Sequence, residues 1–450
     1  MSYNIKPYEV VRDLASTRSK NEKEEIIREA WEAGCTEFFE GARLAYDAMV
    51  TFGVKQVPSH DGEQFFKCMD WVLFDELAKM LQARQLTGHA ARDAIANFME
   101  SCSPEQWDGF YRLVLLKDLK CGVSEKTINK VLKSIGGEAL NYITPVFTCQ
   151  LAHPGEKHPK KLVGKKLIDV KLDGVRILAV LNKEHGTVTL HTRNGKINEN
   201  FPQIEELLRG IIHQLSRSMV LDGEMVSRSF NDLMTQFQRK EADTSDASFA
   251  VFDSLPLEEF LAGKCPVPQK VRDNITHTIC AMASDGRVYY IRKSAIDLDT
   301  EEGQAAFREF NRLALDAGYE GIMVKDPLAM YECKRSHAWL KLKPTITVDL
   351  QIVGTEAGEA DTKYEHCLGK ILCEGTDEAS GKEIVVSVGS GLSDEQREEF
   401  WANRDAMVGR TVEILADTIS KNQDGTYSLR FPRFVRFRDD KERVACRLRL

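Results

Sequence analysis

The chain has 450 residues, 29% of them charged, with a formal net charge of -8 and a mean hydropathy of -0.34. That length predicts two to four domains, each able to bury its own core, and no apolar run reaches the roughly 18 residues of a membrane span. Eleven cysteines, an odd number with no C-x-x-C pair, exclude a disulfide framework and a zinc ribbon and point to reduced thiols.

Met1-Ser2-Tyr3-Asn4-Ile5-Lys6 has no apolar signal core, so a cytoplasmic protein with no membrane partner is expected. The net negative charge counts against a nucleic-acid partner, but charge is unevenly placed. Between Leu429 and Leu450 there are eight Lys/Arg against three Asp/Glu, which allows a local basic patch.

Residues 1 to about 140 read as helical. Glu22 to Ala48 and Trp71 to Ala94 mix charged and apolar residues at helical spacing. Ser103-Pro104-Glu105-Gln106 has the serine N-cap, first-turn proline and third-position glutamine of a helix start. Trp107, Phe110, Tyr111 and Val114 then form an i, i+3, i+4, i+7 stripe, which predicts core. In Lys117 to Thr127, Gly122 can end one helix and Ser124 cap the next. That leaves two readings: a phosphate clamp between lysines or an ordinary helical corner.

Thr144 to Lys166 is rich in proline, glycine and lysine and reads as a linker. From Leu167 short strands take over. In Asp169-Val170-Lys171-Leu172-Asp173-Gly174-Val175-Arg176 the period-2 alternation puts Asp169, Lys171 and Asp173 on one face. Three ionisable groups there are costly to bury unless they pair or meet a ligand. A lysine so placed can become nucleophilic when burial lowers its pKa, although the neighbouring carboxylates oppose this.

Strand patterns follow at Leu221 to Val226, Phe249 to Asp253 and Tyr319 to Lys325, with a helix from Glu301 to Ala317 closed by Gly318. In Lys334 to Lys343, Lys341 and Lys343 share a strand face, where an anion would relieve their repulsion. From about 347 the pattern is all-β: five short strands at Val348–Val353, Ile371–Cys373, Ile384–Val388, Thr411–Ala416 and Arg430–Phe437. A helix start at Ser393-Asp394-Glu395-Gln396 completes the pattern of a small barrel such as the OB fold.

In order and spacing these pieces resemble the motifs of covalent nucleotidyltransferases, specifically ATP-dependent DNA ligases. Lys171 to Gly174 matches the first motif, Arg193 lies in the Arg-x-Gly motif after it, and Leu221 to Val226 matches the third, with Phe252 in its aromatic companion. Glu320 to Lys325, Trp339 to Lys343 and Arg430 to Lys441 match the fourth, fifth and sixth. The compact layout is similar to the ligases of large bacteriophages, which would place the protein in a host cytoplasm if viral.

The resemblance implies a multidomain α+β fold. A helical DNA-binding domain (1–140) would precede a mixed α/β nucleotidyltransferase, or adenylation, domain (141–346) and an OB-fold β-barrel (347–450), with a hinge near Pro344 to Val348. It implies ATP and Mg²⁺ as cofactors, nicked duplex DNA as partner, a monomer, and replication or repair accessory proteins. Lys171 would carry AMP, Asp173 would act near the 3′-OH, and Lys341 and Lys343 would bracket the α-phosphate. Asp169 would accept from the adenine amine and Phe252 would stack on the purine, while Arg176, Arg193 and Glu224 hold ribose and phosphates and Lys325 assists. Glu224 and Glu320 would bind metal, and Arg438, Asp440 and Lys441 would orient the leaving pyrophosphate.

Three other readings share part of this pattern: an RNA ligase or capping guanylyltransferase, an NAD-dependent ligase, and a non-catalytic nick-binding protein. The helical N-terminal region and Arg430-Phe431-Pro432-Arg433 favour DNA ligation over the first, and the lack of a four-cysteine zinc site argues against the second. Intact Lys171, Glu224, Glu320 and Lys341 argue against the third.

Overall fold

The structure is a computed structural model that describes residues 5–54, 56–60, 62, 70–228, 230–239, 243–283, 285–360, 362–376, 381–421 and 426–439. The chain divides into two compact units. One holds the chain up to Cys149 with Ile177–Val180 and Thr189–Glu199; the other holds Gln150–Arg176, Leu181–Val188 and the chain from Asn200 on.

The first unit is built on helices Pro7–Ser16, Lys20–Glu32, Thr36–Tyr46, Trp71–Gln82, Gly88–Glu100 and Glu125–Ile135. The run from Glu22 to Ala48 is two helices rather than one, because Gly34 takes a left-handed φ of 75° and turns the chain. Ser103 and Gln106 form the expected reciprocal cap, each bond 3.2 Å long. The helix it starts widens into a π-turn at Trp107–Tyr111 before Arg112–Leu115. Trp107, Phe110, Tyr111 and Val114 are all buried, and Tyr111 stacks on Phe74 at 4.6 Å. The chain leaves the last helix under control: Asn129 Nδ2 donates to Thr144 O at 2.8 Å and Thr144 N–H donates to Asn129 Oδ1 at 2.9 Å.

The Lys117 to Thr127 corner turns as its sequence allows, with Gly122 at φ 67°. Lys117 is not available to a phosphate, however. Its ammonium donates to the carbonyls of Leu44 and Asp47 at 2.6 and 2.7 Å, and burial pushes its pKa down to about 8.

The chain after Cys149 opens with β1 (Leu151–Pro154), β2 (Lys165–Lys171), β3 (Val175–Asn182), β4 (Thr187–Thr192), β5 (Met219–Val226) and β6 (Ser248–Pro256), of which the middle of β3 and most of β4 count with the first unit. The strands β7 (Lys264–Cys265), β8 (Val288–Tyr290), β9 (Ser294–Asp297), β10 (Gly321–Lys325), β11 (Tyr331–Glu332) and β12 (Arg335–Leu342) follow. One sheet runs β1-β12-β10-β2-β9 and another β4-β3-β5-β6-β8. Thr144 to Lys166 is therefore more than a linker, since it supplies β1, parallel to β12. A four-residue edge strand is too short to show periodicity, and its Pro and Gly content hides it. The apolar run from Leu167 to Leu181 is likewise two strands, broken at Leu172–Gly174.

The C-terminal strands are β13 (Ile346–Ala357), β14 (Leu368–Thr376), β15 (Glu383–Val388), β16 (Thr411–Ala416), β17 (Thr418–Lys421), β18 (Tyr427–Arg430) and β19 (Arg433–Phe437). They form one curled sheet in the order β17-β18-β15-β14-β13-β16-β19, and a bridge from Ser390 to Arg433 brings β19 back to the segment after β15. This is an OB-like fold. Its core includes Val348, Leu350, Ile352, Ile371, Val388, Ile414 and Phe434. Helix Asp394–Ala402 starts at the reciprocal Ser393–Gln396 cap. No helix among the described residues is long and apolar enough to cross a membrane.

Candidate active site

Register builds the site from three strands. Lys171 lies opposite Gly321 and Asp169 opposite Met323, while Met323 lies opposite Lys341 and Lys325 opposite Trp339. Alternation then sorts the side chains. Ile168, Ile322, Val324 and Leu340 pack on Phe307, Phe310 and Ala314 of helix Glu301–Asp316, which leaves Asp169, Lys171, Lys325, Trp339 and Lys341 on the other face.

Lys171 ends β2. Its carbonyl accepts the Glu320 N–H at 3.0 Å, and its ammonium forms an ion pair with the Glu320 carboxylate. Lys343 Nζ reaches the other Glu320 oxygen at 3.4 Å. Burial alone would raise the Glu320 pKa, but Lys171 and Lys343 outweigh it and the group titrates below its ordinary range. Lys341 makes no ion pair among the described residues. Burial pushes its pKa down, and Lys343, Lys171 and Arg335 add to that.

Two glycines let these strands close up. A Cβ on Gly174 would sit 2.3 Å from Met225 O and 2.6 Å from Glu224 Cγ, so only glycine lets the turn after Lys171 lie against β5. Gly321 has φ 145°, and a Cβ there would meet Leu342 O at 2.2 Å. On β5, Glu224 is partly buried and its pKa is pushed up to about 7 by burial, aided by Asp222 and Glu320 and opposed by Lys171 and Arg176.

Beside the amines lies an aromatic pair, Phe252 on β6 and Trp339 on β12, edge to face at 5.8 Å. Two cations lie over both rings: Lys325 Nζ at 4.8 and 4.7 Å and Arg176 Cζ at 5.2 and 5.4 Å. Lys325 is held by Asp169 at 2.7 Å, each side chain only 1% exposed, and Asp169 Oδ1 has no hydrogen-bond partner among the described residues. Arg176 donates two bonds to Asp222, at 2.9 and 2.6 Å, and the Tyr331 hydroxyl donates to the same carboxylate at 2.7 Å.

Beneath Trp339, the indole N–H donates to Gln269 Oε1 at 2.7 Å. That oxygen also accepts from Arg272 at 3.0 Å, and Arg272 is paired with Asp253 at 2.9 Å. Asp222, Tyr331, Gln269, Arg272 and Asp253 were not singled out from sequence. Asp222 and Asp253 signalled themselves only as carboxylates inside apolar strands, and Gln269 and Arg272, in the polar run Gln269 to Asn274, gave no signal at all.

The barrel contributes its own charges. Arg430, at the end of β18, donates three bonds of 2.9 to 3.1 Å to Asp173. Asp417 forms an ion pair with Lys343 and accepts from Arg433 at 2.6 Å. Alternating charges thus run Arg433, Asp417, Lys343, Glu320, Lys171. Arg438 is placed elsewhere: it is buried in the barrel, 3.3 Å from Asp349 and 3.6 Å from Glu413. Arg193 is exposed and lies in the first unit, and Asp440 and Lys441 fall outside the described residues.

An amine fixed at a strand end, with two more amines and two carboxylates around it, can receive a phosphate and form a bond to phosphorus. Residues 149–343 match the family described as ATP dependent DNA ligase domain, and residues 359–438 match the DNA ligase OB-like domain. The chain belongs to the ATP-dependent DNA ligase family.

It is 30% identical over 310 residues to DNA ligase 2 of Methanosarcina acetivorans, covering 61% of this chain and 52% of that protein. To the DNA ligase of Methanothrix thermoacetophila it is 29% identical over 323 residues, covering 65% and 55%. The chain thus spans about half the length of these curated relatives. The solved structure Pmar-Lig_PreS3 is 45% identical, covers 96% of this chain and 99% of its own, and superposes with a TM-score of 0.66.

Proposed function

We propose that this chain seals 5′-phosphate/3′-OH nicks in duplex DNA with ATP, serving replication, repair and recombination. The observation that carries the reading is the set of Lys171, Lys341 and Lys343 amines gathered around Glu320 on one sheet face. Lys171 Nζ attacks the α-phosphorus of ATP, forming a P–N bond as the bond to the β-phosphate oxygen breaks and pyrophosphate leaves. The ammonium must first lose its proton to solvent, since Glu320, its ion-pair partner, titrates below its ordinary value and is a poor acceptor. AMP then passes to the 5′-phosphate of the nick, and the 3′-OH displaces it. Such in-line displacements need positioning and charge neutralisation above all.

Lys341 and Lys343 flank the α-phosphate. Phe252 stacks on the purine, and the free Oδ1 of Asp169 accepts the adenine amine. Arg176, Arg193 and Lys325 serve the nucleotide, while Asp173 works near the 3′-OH. Asp440 and Lys441 orient the pyrophosphate, whereas Arg438 is held inside the barrel by Asp349 and Glu413. Glu224 and Glu320 fit a divalent cation: both are hard oxygen donors, and burial raises the Glu224 pKa despite Lys171 and Arg176, a cost that a bound cation would offset. Mg²⁺ held there would neutralise phosphate charge.

We further place the domain limits at 1–140, 141–346 and 347–450. The protein acts as a monomer, with nicked duplex DNA as partner, and motion about Pro344 to Val348 admits the DNA.

Intact-mass measurement after incubation with ATP and Mg²⁺ should show one AMP on Lys171, lost in Lys171→Ala, and a nicked duplex should be sealed. Labelling from GTP in place of ATP would favour the capping-enzyme reading.

A further inference from the structure

Three imidazoles that the proposed sealing chemistry does not use stand together. His153 is on β1, His158 sits between the two short turns Gly155–Lys157 and Pro159–Lys161, and His337 is on β12. The first two are partly buried and the third is exposed. His153 and His337 stack with centroids 4.2 Å apart and planes at 11°, and His158 presents its edge to both, at 4.9 and 4.5 Å. One ring nitrogen from each lies within 4.8 Å of the others.

The grouping has a backbone cause. β1 and β12 run parallel through Leu151–Arg335 and Ala152–Ser336, but the next pair is His153–Leu340. Three extra residues, His337 to Trp339, are accommodated on β12 against a single step of β1. A bulge of this kind re-aims side chains, and here it leaves His337 exposed against His153 while Trp339 is buried.

We propose that His153, His158 and His337 bind a borderline transition-metal dication of the Zn²⁺ type, with water completing the coordination. Three imidazoles and an open position form a recurrent zinc donor set. Zn–N bonds of about 2.0–2.1 Å in a tetrahedron put ligand nitrogens about 3.3 Å apart, so side-chain rotations closing roughly 1.5 Å assemble the site. The donors are all nitrogen and Arg335 is close by. That cation disfavours a hard ion held mainly by charge and leaves one that gains from bonding to imidazole.

The ion would tie β1 and the turns after it to β12, the strand that carries Trp339 and Lys341. Its ligands are none of the residues that would hold the Mg²⁺ of nick sealing, Glu224 and Glu320. The proposal does not depend on the ligase reading, because its readouts are binding and stability rather than sealing.

The test uses the full chain without a histidine tag, titrated with Co²⁺ and Zn²⁺. One Co²⁺ per chain with the intense visible bands of four-coordinate cobalt, displaced by Zn²⁺, is expected, together with a rise in Tm on adding Zn²⁺. His158→Gln and His337→Gln should each weaken Co²⁺ binding by at least about tenfold and abolish the Tm rise, with unchanged circular dichroism. Binding that is equal in wild type and both variants, or a spectrum of hexa-aquo cobalt only, would overturn the proposal. Should either variant unfold, the same comparison with His153→Gln and with wild type at pH 5.5, where imidazoles protonate, decides it.

Discussion

Arg430 of the barrel clasps Asp173, two residues beyond Lys171, through three hydrogen bonds of 2.9 to 3.1 Å. The pair is about one-third exposed, so solvent screens it, and its contribution should not exceed about 1 kcal/mol. Arg430→Ala should therefore slow single-turnover AMP transfer by no more than about fivefold. Raising NaCl should slow the wild type but leave the variant nearly unaffected. A variant with wild-type salt dependence would show that the clasp does not hold the barrel in place.

Glu224 should give the enzyme a pH dependence near neutrality. Its folded-state pKa is raised from 4.5 to about 7, so between those values the folded protein holds a proton that the unfolded chain has released. Stability from this group therefore falls as pH rises from about 4.5 to about 7 and is level above that. Metal binding needs the ionised form, whose population rises about tenfold between pH 6 and pH 8 for such a group. Mg²⁺ required for half-maximal AMP transfer should fall over that range, and Glu224→Gln should flatten the dependence. Adenylylation rates across Mg²⁺ titrations at the two pH values measure this.

The buried Lys325–Asp169 pair should be unforgiving of half-removal. Lys325→Met strands a carboxylate that is 1% exposed, at a cost of about 3–5 kcal/mol. Denaturant unfolding of the second unit should show that loss, and Lys325→Met/Asp169→Leu should recover much of it. Nearly additive losses would mean that the two side chains are not coupled.

Gly174→Ala is the smallest change that should disable the site. The added methyl lands 2.3 Å from the Met225 carbonyl oxygen, which is main chain and cannot swing aside, so the Leu172–Gly174 turn must shift. A displacement near 1 Å at the reacting groups costs on the order of a hundredfold in rate. AMP transfer should drop accordingly while Tm changes little.

Local rules made much of this legible. The Ser103–Gln106 and Ser393–Gln396 caps, the Trp107 to Val114 stripe and the two faces of Asp169 to Lys171 each depend on neighbours within a few residues. Pairings across the chain were not legible. That Lys117 is consumed by the carbonyls of Leu44 and Asp47, or that Arg176 is shared between Asp222 and two aromatic rings, depends on residues tens of positions away. The charged strand ending in Phe437 shows the limit well. It is two strands, and that Arg430 before its break faces Asp173 while Arg438 just past its end turns into the barrel follows from how the sheet curls.

The main-chain bond from Glu320 to Lys171 makes the Lys171 amine and its counter-carboxylate one mechanical part. Through Asp417 and Lys343 the barrel's charges reach the same Glu320 carboxylate, so the barrel is tied to that couple by ion pairs rather than by main chain. An anion arriving at these amines would compete with Glu320 and Asp417 for the same positive charge, so the proposed substrate would loosen the couple and the barrel's hold on it together.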